Sequence, residues 1–384
     1  LQFLSDNSTA GPGPESREQA VNDEETTEIR RGHEINIPRL SAFLTGRLPG
    51  FVPPLAVRQF RGGQSNPTYK LSFDGRDYVL RKKPGGELLP GAHMIEREYR
   101  VISALKDSGV PVPTVPLLCD DPGIIGTPFY IMEFIDGRVF RDPALPEAPR
   151  AERAVIYRAM AETLARLHRV DWRKAGLEGF GKPTGYLERQ IALWTRQYLA
   201  AKTHEIPAME RLAAWLPANL PADERTTISH GDFRLENLIF AKDRPDVLAT
   251  LDWELATLGH PFADLAYCCM IWHLPSTAPH VPGLEGLDLA VLGIPSEKDF
   301  IASYCASAGL DAVPDYQFYV AFSFYRFAAI AQGIYARFQA GNASAPNARD
   351  VGLLAEPLAD LGWEAAERAE GAHRFPHGAA TEPV

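Results

Sequence analysis

Residues 228–240, ISHGDFRLENLIF, set an acid, Asp232, five positions ahead of an amide, Asn237, and an apolar run starts directly behind it. A turn, AKDRPD, leads into VLATLDW, which carries a second acid, Asp252. Two short β-type runs joined by a turn form a hairpin, and a hairpin brings its outer ends together. Asn237 and Asp252 are therefore expected to meet beside Asp232. Two carboxylates and an amide oxygen are hard ligands, of the kind that hold Mg2+ together with substrate phosphates. Phosphoryl transfer uses such a set, with a separate carboxylate that accepts or orients the attacking hydroxyl. Asp232 is assigned to the hydroxyl, and Asn237 with Asp252 to the metal. Asp and Asn also favour turns for local hydrogen-bonding reasons. The segment LDWELATLGHPFADLA, at the right distance behind them, decides for chemistry.

The elements that must hold these residues are legible on either side. Residues 1–34 are polar, acidic and rich in Gly, Pro, Ser and Glu, which predicts a disordered arm. Residues 55–83 contain β-rich runs, two of them joined by Asp74-Gly75, a hairpin signal. A helix is predicted over 93–107, with Ile95, Tyr99, Ile102 and Leu105 on one face. TPFYIMEFIDG is a strand that runs into a linker. From residue 150 helices dominate. One covers 151–169, with Val155, Met160, Leu164 and Leu167 at helical spacing; two lie within 185–216; a long, mostly apolar one spans 315–340. The expected class is α+β, with a small β-rich lobe over 35–135, a larger helical lobe over 136–365, a crevice between them, and a tail over 366–384.

HGDFRLENLIF and TLDWELATLGHPFADLAY resemble the two motifs of the aminoglycoside phosphotransferase and choline kinase superfamily, and the resemblance runs from about residue 35 to 365. It implies a bilobal, protein-kinase-like fold. In protein kinases the matching pattern is H-R-D, four residues, N, with a later D-F-G. Here Gly231 stands in place of the Arg, and DWE in place of D-F-G. Within the superfamily, VLRKKPGG and QGIYARFQAGNAS are similar to the kinase domain joined to certain vertebrate acyl-CoA dehydrogenases, which implies a hydroxyacyl-CoA or hydroxy acid as acceptor.

The resemblance also assigns a nucleotide side, with ATP as co-substrate and GTP not excluded. Gly62, Gly63, Gln64, Ser65 and Asn66 would form a loop over the phosphates, with Ser65 and Asn66 offering hydroxyl and amide groups. Aligning Tyr-Val-Leu-Arg with the V-A-I-K pattern puts Arg81 at the phosphates, where a guanidinium can fork onto two oxygens. Lys82 is expected to be a solvated strand end. Glu98 matches the acid that pairs with this cation, with Glu96 as competitor. Backbone groups of Glu133, Phe134 and Ile135 would meet the base. Asp264 matches the residue that braces the catalytic loop. His230 is expected to be structural, because phosphoryl transfer asks little of a base, and His168 to be a satisfied core histidine. Arg326 and Arg337 sit in an apolar helix and need partners: core carboxylates, or an anionic acceptor.

The 384 residues suit two lobes, and the net charge of −10 weighs against nucleic acid as a partner. No apolar run has the length of a membrane span, and LQFLSDNSTAGPGPE lacks the basic start and apolar centre of a secretory signal. The four cysteines show no metal-ligand spacing. A cytoplasmic location is expected; the oligomeric state stays open. Three functions compete: a kinase acting on a small hydroxylated metabolite, an aminoglycoside phosphotransferase, and a non-catalytic nucleotide-binding module. The presence of Asp232, Asn237 and Asp252 weighs against the module. Trp272, Tyr304, Phe322 and Phe324 in the second lobe favour an acceptor with an apolar part over a polycationic sugar.

Overall fold

Asp74 and Gly75 both take positive φ, 47° and 69°, and close the tight hairpin that an Asp-Gly pair between alternating strands predicts. The computed structural model describes residues 26–61, 66–85, 94–342 and 347–374. In it this hairpin joins β3 (Thr68–Phe73) to β4 (Arg76–Lys82). They belong to a six-stranded antiparallel sheet with β1 (Thr26–Thr27), β2 (Ala56–Phe60), β5 (Leu117–Cys119) and β6 (Phe129–Glu133), in the order β1-β2-β3-β4-β6-β5. One face buries Leu71, Leu80, Phe129 and Ile131 with Leu40 and Leu44 of helix α1 (Ile37–Leu44). Strand alternation sends Arg81 to the other face, where helix α2 (Ile95–Leu105) presents Glu98.

The chain divides into two units. The first takes Leu1–Val139, Arg173–Leu177 and Asn237–Ala256; the second takes the rest. The β-rich unit is thus not the continuous stretch 35–135 that the sequence suggested. Strands β8 (Leu238–Phe240) and β9 (Val247–Thr250) return to it. Arg138 and Phe240 exchange both main-chain hydrogen bonds, at 2.7 and 2.8 Å, and Thr250 N–H donates to the Pro111 carbonyl at 2.8 Å. Gly137 permits this approach, since a Cβ there would lie 2.3 Å from the Phe240 oxygen.

The second unit contains α3 (Arg150–His168), α4 (Tyr186–Ala201), α5 (Pro207–Ala218), β7 (Thr227–Ser229), β10 (Thr257–Gly259), α6 (Pro261–Cys269), α7 (Leu289–Leu292), α8 (Glu297–Ala308), α9 (Tyr316–Gln339), α10 (Ala348–Gly352) and α11 (Ala355–Arg374). From Phe318 to Ala329 every residue of α9 is buried, the pattern of a central helix. Helices α4, α5, α6, α10 and α11 pack against it. No described helix is long and apolar enough to cross a membrane.

Several boundaries and burials differ from expectation for identifiable reasons. The arm expected to run through residue 34 is tied down from Thr26: β1 pairs with β2, Arg30 N–H donates to Gln59 (2.9 Å), and Tyr69 OH donates to the His33 carbonyl (2.7 Å). The expected tail from 366 is helical to Arg374. Val155 is 40% exposed because the buried stripe of α3 runs through Ile156, Tyr157, Met160 and Leu164 instead. Lys82 is not a solvated strand end; it is buried, with its ammonium over the Tyr69 ring.

Candidate active site

In the second unit, β7 ends at Ser229 and releases the loop His230-Gly231-Asp232. Its antiparallel partner β10 ends at Gly259, and His260 then caps α6, accepting the Phe262 N–H at 3.2 Å through Nδ1. The first turn of α6 carries Asp264, so the pairing of two three-residue strands sets this acid under the loop. Its carboxylate accepts the N–H groups of His230 (2.7 Å) and Gly231 (2.8 Å) and contacts His168 Nε2 at 3.2 Å. Burial pushes Asp264 toward its neutral form, but His168, His230 and the loop N–H groups outweigh this and hold its pKa below the usual carboxylate value. Gly231 has φ 81°, which disfavours a side chain and accounts for glycine where protein kinases carry Arg. Asp264 thus braces the loop directly.

Asp232 is 3% exposed. Its Oδ1 accepts the Tyr267 hydroxyl at 3.0 Å, and its Oδ2 lies 3.3 Å from Arg234 Nε. Burial alone would raise its pKa; Arg234, His230 and the Tyr267 hydrogen bond reverse this, and the net direction is down. His230 is fully buried, and its Nδ1 accepts the Asp232 N–H at 3.3 Å, a structural position. His168 is a satisfied core histidine, bonded to Tyr304 (2.7 Å) as well as Asp264.

In the first unit, the β8–β9 hairpin pairs Leu238 with Thr250, and Leu251 N–H donates to the Asn237 carbonyl at 2.8 Å. Asn237 and Asp252 therefore stand at adjoining chain ends. Asp252 adopts φ 62° and ψ 61°, a left-handed conformation that Asp tolerates better than most residues. Arg81, 7% exposed, lies between three acids: Glu98 (2.9 Å), Asp252 (2.8 Å) and Glu254 (3.4 Å). Glu98 also accepts from Tyr130 OH (3.0 Å) and the Asn66 amide (2.9 Å). Burial raises the Glu98 pKa; Arg81 opposes this, while Asp252 and Glu254 add to it, and the outcome is about 7. Lys83 pairs with Glu96 at 2.6 Å, so the two candidate acids on α2 take different cations.

The donor set suits a hard divalent ion. Among the described residues no cluster of three or more His, Cys, Asp and Glu side chains could enclose a metal. One carboxylate and one amide oxygen at adjoining chain ends fit an ion whose remaining ligands are phosphate and water oxygens.

The other assigned residues fall as follows. Gly62, Gly63, Gln64 and Ser65 lie outside the described residues. Asn66 is fully buried, and its amide nitrogen serves Glu98 and Glu254 (3.5 Å) rather than standing open to phosphate. The Glu133 N–H is taken by the Thr114 carbonyl at 2.8 Å, which removes it as a donor to a base. The Phe134 ring carries the Lys70 ammonium 4.7 Å from its centroid, and Ile135 follows it half-buried. Among the described residues Arg326 pairs with neither Asp nor Glu: Nη2 donates to the Gly231 carbonyl at 2.9 Å, and the guanidinium lies over Tyr267 and Trp194. Arg337 is exposed in the last turn of α9, where a guanidinium needs no core partner. Trp272, Tyr304, Phe322 and Phe324 are buried core. Sequence reasoning passed over Tyr267, Arg234, Tyr130 and Glu254. Tyr267 had a usable signal, its i+3 spacing from Asp264 on one helix; Arg234 and Glu254 each sit two residues from an assigned acid.

An antiparallel sheet unit joined to a helical unit, with these motifs at the loop and hairpin ends, defines a kinase-like phosphotransferase fold. The chain belongs to the phosphotransferase enzyme family, whose model matches residues 56–292. It is 48% identical to mouse acyl-CoA dehydrogenase family member 10 over 94% of this chain and 34% of that protein. With human acyl-CoA dehydrogenase family member 11 the identity is 41%, over 91% and 45%. The chain thus spans less than half the length of these relatives. A crystal structure from Ralstonia eutropha named after the aminoglycoside phosphotransferases is 46% identical, with a TM-score of 0.81 over 87% of this chain and 99% of that one. Choline kinase from Cryptosporidium parvum shares the fold at 14% identity, with a TM-score of 0.58 over 88% and 97%.

Proposed function

We propose that this phosphotransferase is a small-molecule kinase that moves the γ-phosphoryl group of ATP to a hydroxyl of a metabolite. The observation that carries the reading is Asp232, a buried carboxylate held ionised on a loop fixed by Asp264. Asp232 takes the proton of the acceptor hydroxyl as its oxygen bonds to the γ-phosphorus. The bond from that phosphorus to the β–γ bridging oxygen breaks, and its electron pair leaves with ADP. Asn237 and Asp252 would hold Mg2+, which when bound offsets phosphate charge. Arg81 is the cation assigned to the α- and β-phosphates, and Glu98 fixes its direction.

The acceptor proposed is a hydroxyacyl thioester or related hydroxy acid. The support for this is the sequence likeness to proteins named as acyl-CoA dehydrogenase family members. The test is ADP formation by purified protein with Mg-ATP and 3-hydroxyacyl-CoAs, 3-hydroxybutyrate, choline or kanamycin. Turnover is expected with a hydroxy acid or its thioester and little with kanamycin. Robust phosphorylation of kanamycin or choline, with none of any hydroxyacyl compound, would overturn the acceptor and leave the kinase reading standing.

A further inference from the structure

The loop that carries Asp232 is fixed from one side by Asp264, through the main-chain N–H groups of His230 and Gly231. A contact on the Asp232 side chain itself comes from α6, and α9 backs it. Tyr267 lies three residues beyond Asp264 on α6, so both reach the same loop. Its hydroxyl donates to Asp232 Oδ1 at 3.0 Å. The Tyr267 ring lies against Arg326, with the guanidinium carbon 4.7 Å from the ring centroid, and the same guanidinium donates to the Gly231 carbonyl at 2.9 Å. Trp194 of α4 covers the guanidinium at 5.6 Å. One buried arginine thus holds both the ring that grips the carboxylate and the peptide that precedes it.

We propose that Tyr267 and Arg326 act together as positioning residues for Asp232, fixing which carboxylate oxygen faces the acceptor hydroxyl and keeping the carboxylate ionised. This rests on the reading of Asp232 as the proton acceptor. The Tyr267 hydroxyl on Oδ1 sets the orientation of the carboxylate, with Oδ2 beside Arg234. A phenol donor also favours the ionised acid, as does each cation nearby. The charged and titratable groups around Asp232 are Arg234, itself paired with Glu236 at 2.7 Å, His230 in the loop, Tyr267 from α6 and Arg326 from α9 through Gly231. Tyr267 is the member of this group that can lose its interaction by loss of one oxygen while its packing stays.

Tyr267→Phe keeps the ring on Arg326 and removes only the hydroxyl. ADP formation from Mg-ATP, with water and with 3-hydroxybutyryl-CoA as acceptors, is followed from pH 3 to 9 in wild type, Tyr267→Phe, Asp232→Asn and the double variant. The expected result is a fall in kcat of about tenfold to a hundredfold, the size of one hydrogen bond to a charged group, with KM for ATP unchanged. The acid limb of kcat/KM should move to higher pH, because the ionised acid has lost a donor. In the Asp232→Asn background the second substitution should add little, since the two act as one. Arg326→Met should lower kcat in the same sense while ATP affinity, read by calorimetry with a non-hydrolysable analogue, holds. A Tyr267→Phe enzyme with wild-type kcat and pH profile, beside an inactive Asp232→Asn, overturns this proposal alone. Near-wild-type activity in Asp232→Asn overturns the reading of Asp232 and the proposal with it. A variant that melts earlier but keeps its pH profile reduces Tyr267 to packing and also overturns it.

Discussion

Arg81 shows how far one side chain can be read at the residue scale. Its place on β4 and its pairing with Glu98 follow from alternation and the helix behind it, but two further acids, Asp252 and Glu254, share it. Burial pushes the Glu98 pKa up to about 7 against the pull of Arg81, with Asp252 and Glu254 adding to the rise. Its unfolded value is about 4.3. The folded state therefore holds the proton more tightly than the unfolded chain, and Glu98's contribution to stability is present at low pH and is lost as pH rises from about 4.3 toward 7. Urea unfolding at pH 5, 6, 7 and 8 should show a smaller decline for Glu98→Gln than for wild type. Parallel midpoints across the range would show that Glu98 is ionised throughout.

At the scale of elements, the loop is held by short pieces that depend on one another. Strands β7 and β10 have three residues each, too few to stand alone. What fixes them is His260, which caps α6 and stacks on Tyr319 of α9 at 4.9 Å. Because Nδ1 accepts the Phe262 N–H, Nε2 carries the proton and donates to the Asp223 carbonyl at 3.2 Å. Burial depresses the His260 pKa to about 4, against the weaker opposing pull of Asp223. Below pH 6.5 the unfolded chain takes up a proton that the folded one refuses, so stability is lost as pH falls from about 6.5 to 4. His260→Asn retains a good cap and removes this titration. Its unfolding midpoint should fall less than wild type's between pH 6.5 and 4.5, although it starts lower for want of the stacked ring. An acid response identical to wild type would place the sensitivity elsewhere. The His260 and Glu98 slopes oppose one another, so each is read as a difference from wild type.

At the scale of the whole molecule, the β-rich unit is built from separated stretches of chain. Residues 237–256 supply β8, β9 and Asp252, and these close against Arg138, Pro111 and Arg81. A fragment of residues 26–139 would keep the six-stranded sheet and the Arg81–Glu98 pair yet take Asp252 and Glu254 from Arg81. Breaking a buried ion pair costs about 3–5 kcal/mol, a large share of the roughly 5–15 kcal/mol that holds a domain together. The fragment should show no cooperative unfolding transition by circular dichroism, and a separately supplied 237–256 peptide should not bring it above the noise at micromolar concentration. A sharp transition in the fragment alone would show that the return segment is not needed.

Whatever depends on neighbours along the chain was legible before the fold was known. The Asp74-Gly75 turn, the spans of α2, α3 and α9 to within a few residues, and the meeting of Asn237 with the end of β9 all follow from periodicity and turn chemistry over short distances. The motif spacing was enough to place the chain in its family. The partners of buried charge were settled by packing. Arg326 has the same sequence context whether it meets a carboxylate, an acceptor or a carbonyl, and the fold gave it the Gly231 carbonyl and two aromatic rings. Asn66 could be read as a phosphate ligand until it proved to face Glu98. Tyr267 stood unremarked in DLAY because its role exists only where α6 brings its hydroxyl to Asp232, 35 residues away in the chain. Local propensity acts through the backbone of a few residues. The satisfaction of a buried polar group is a property of everything that surrounds it, and that is set when distant segments pack.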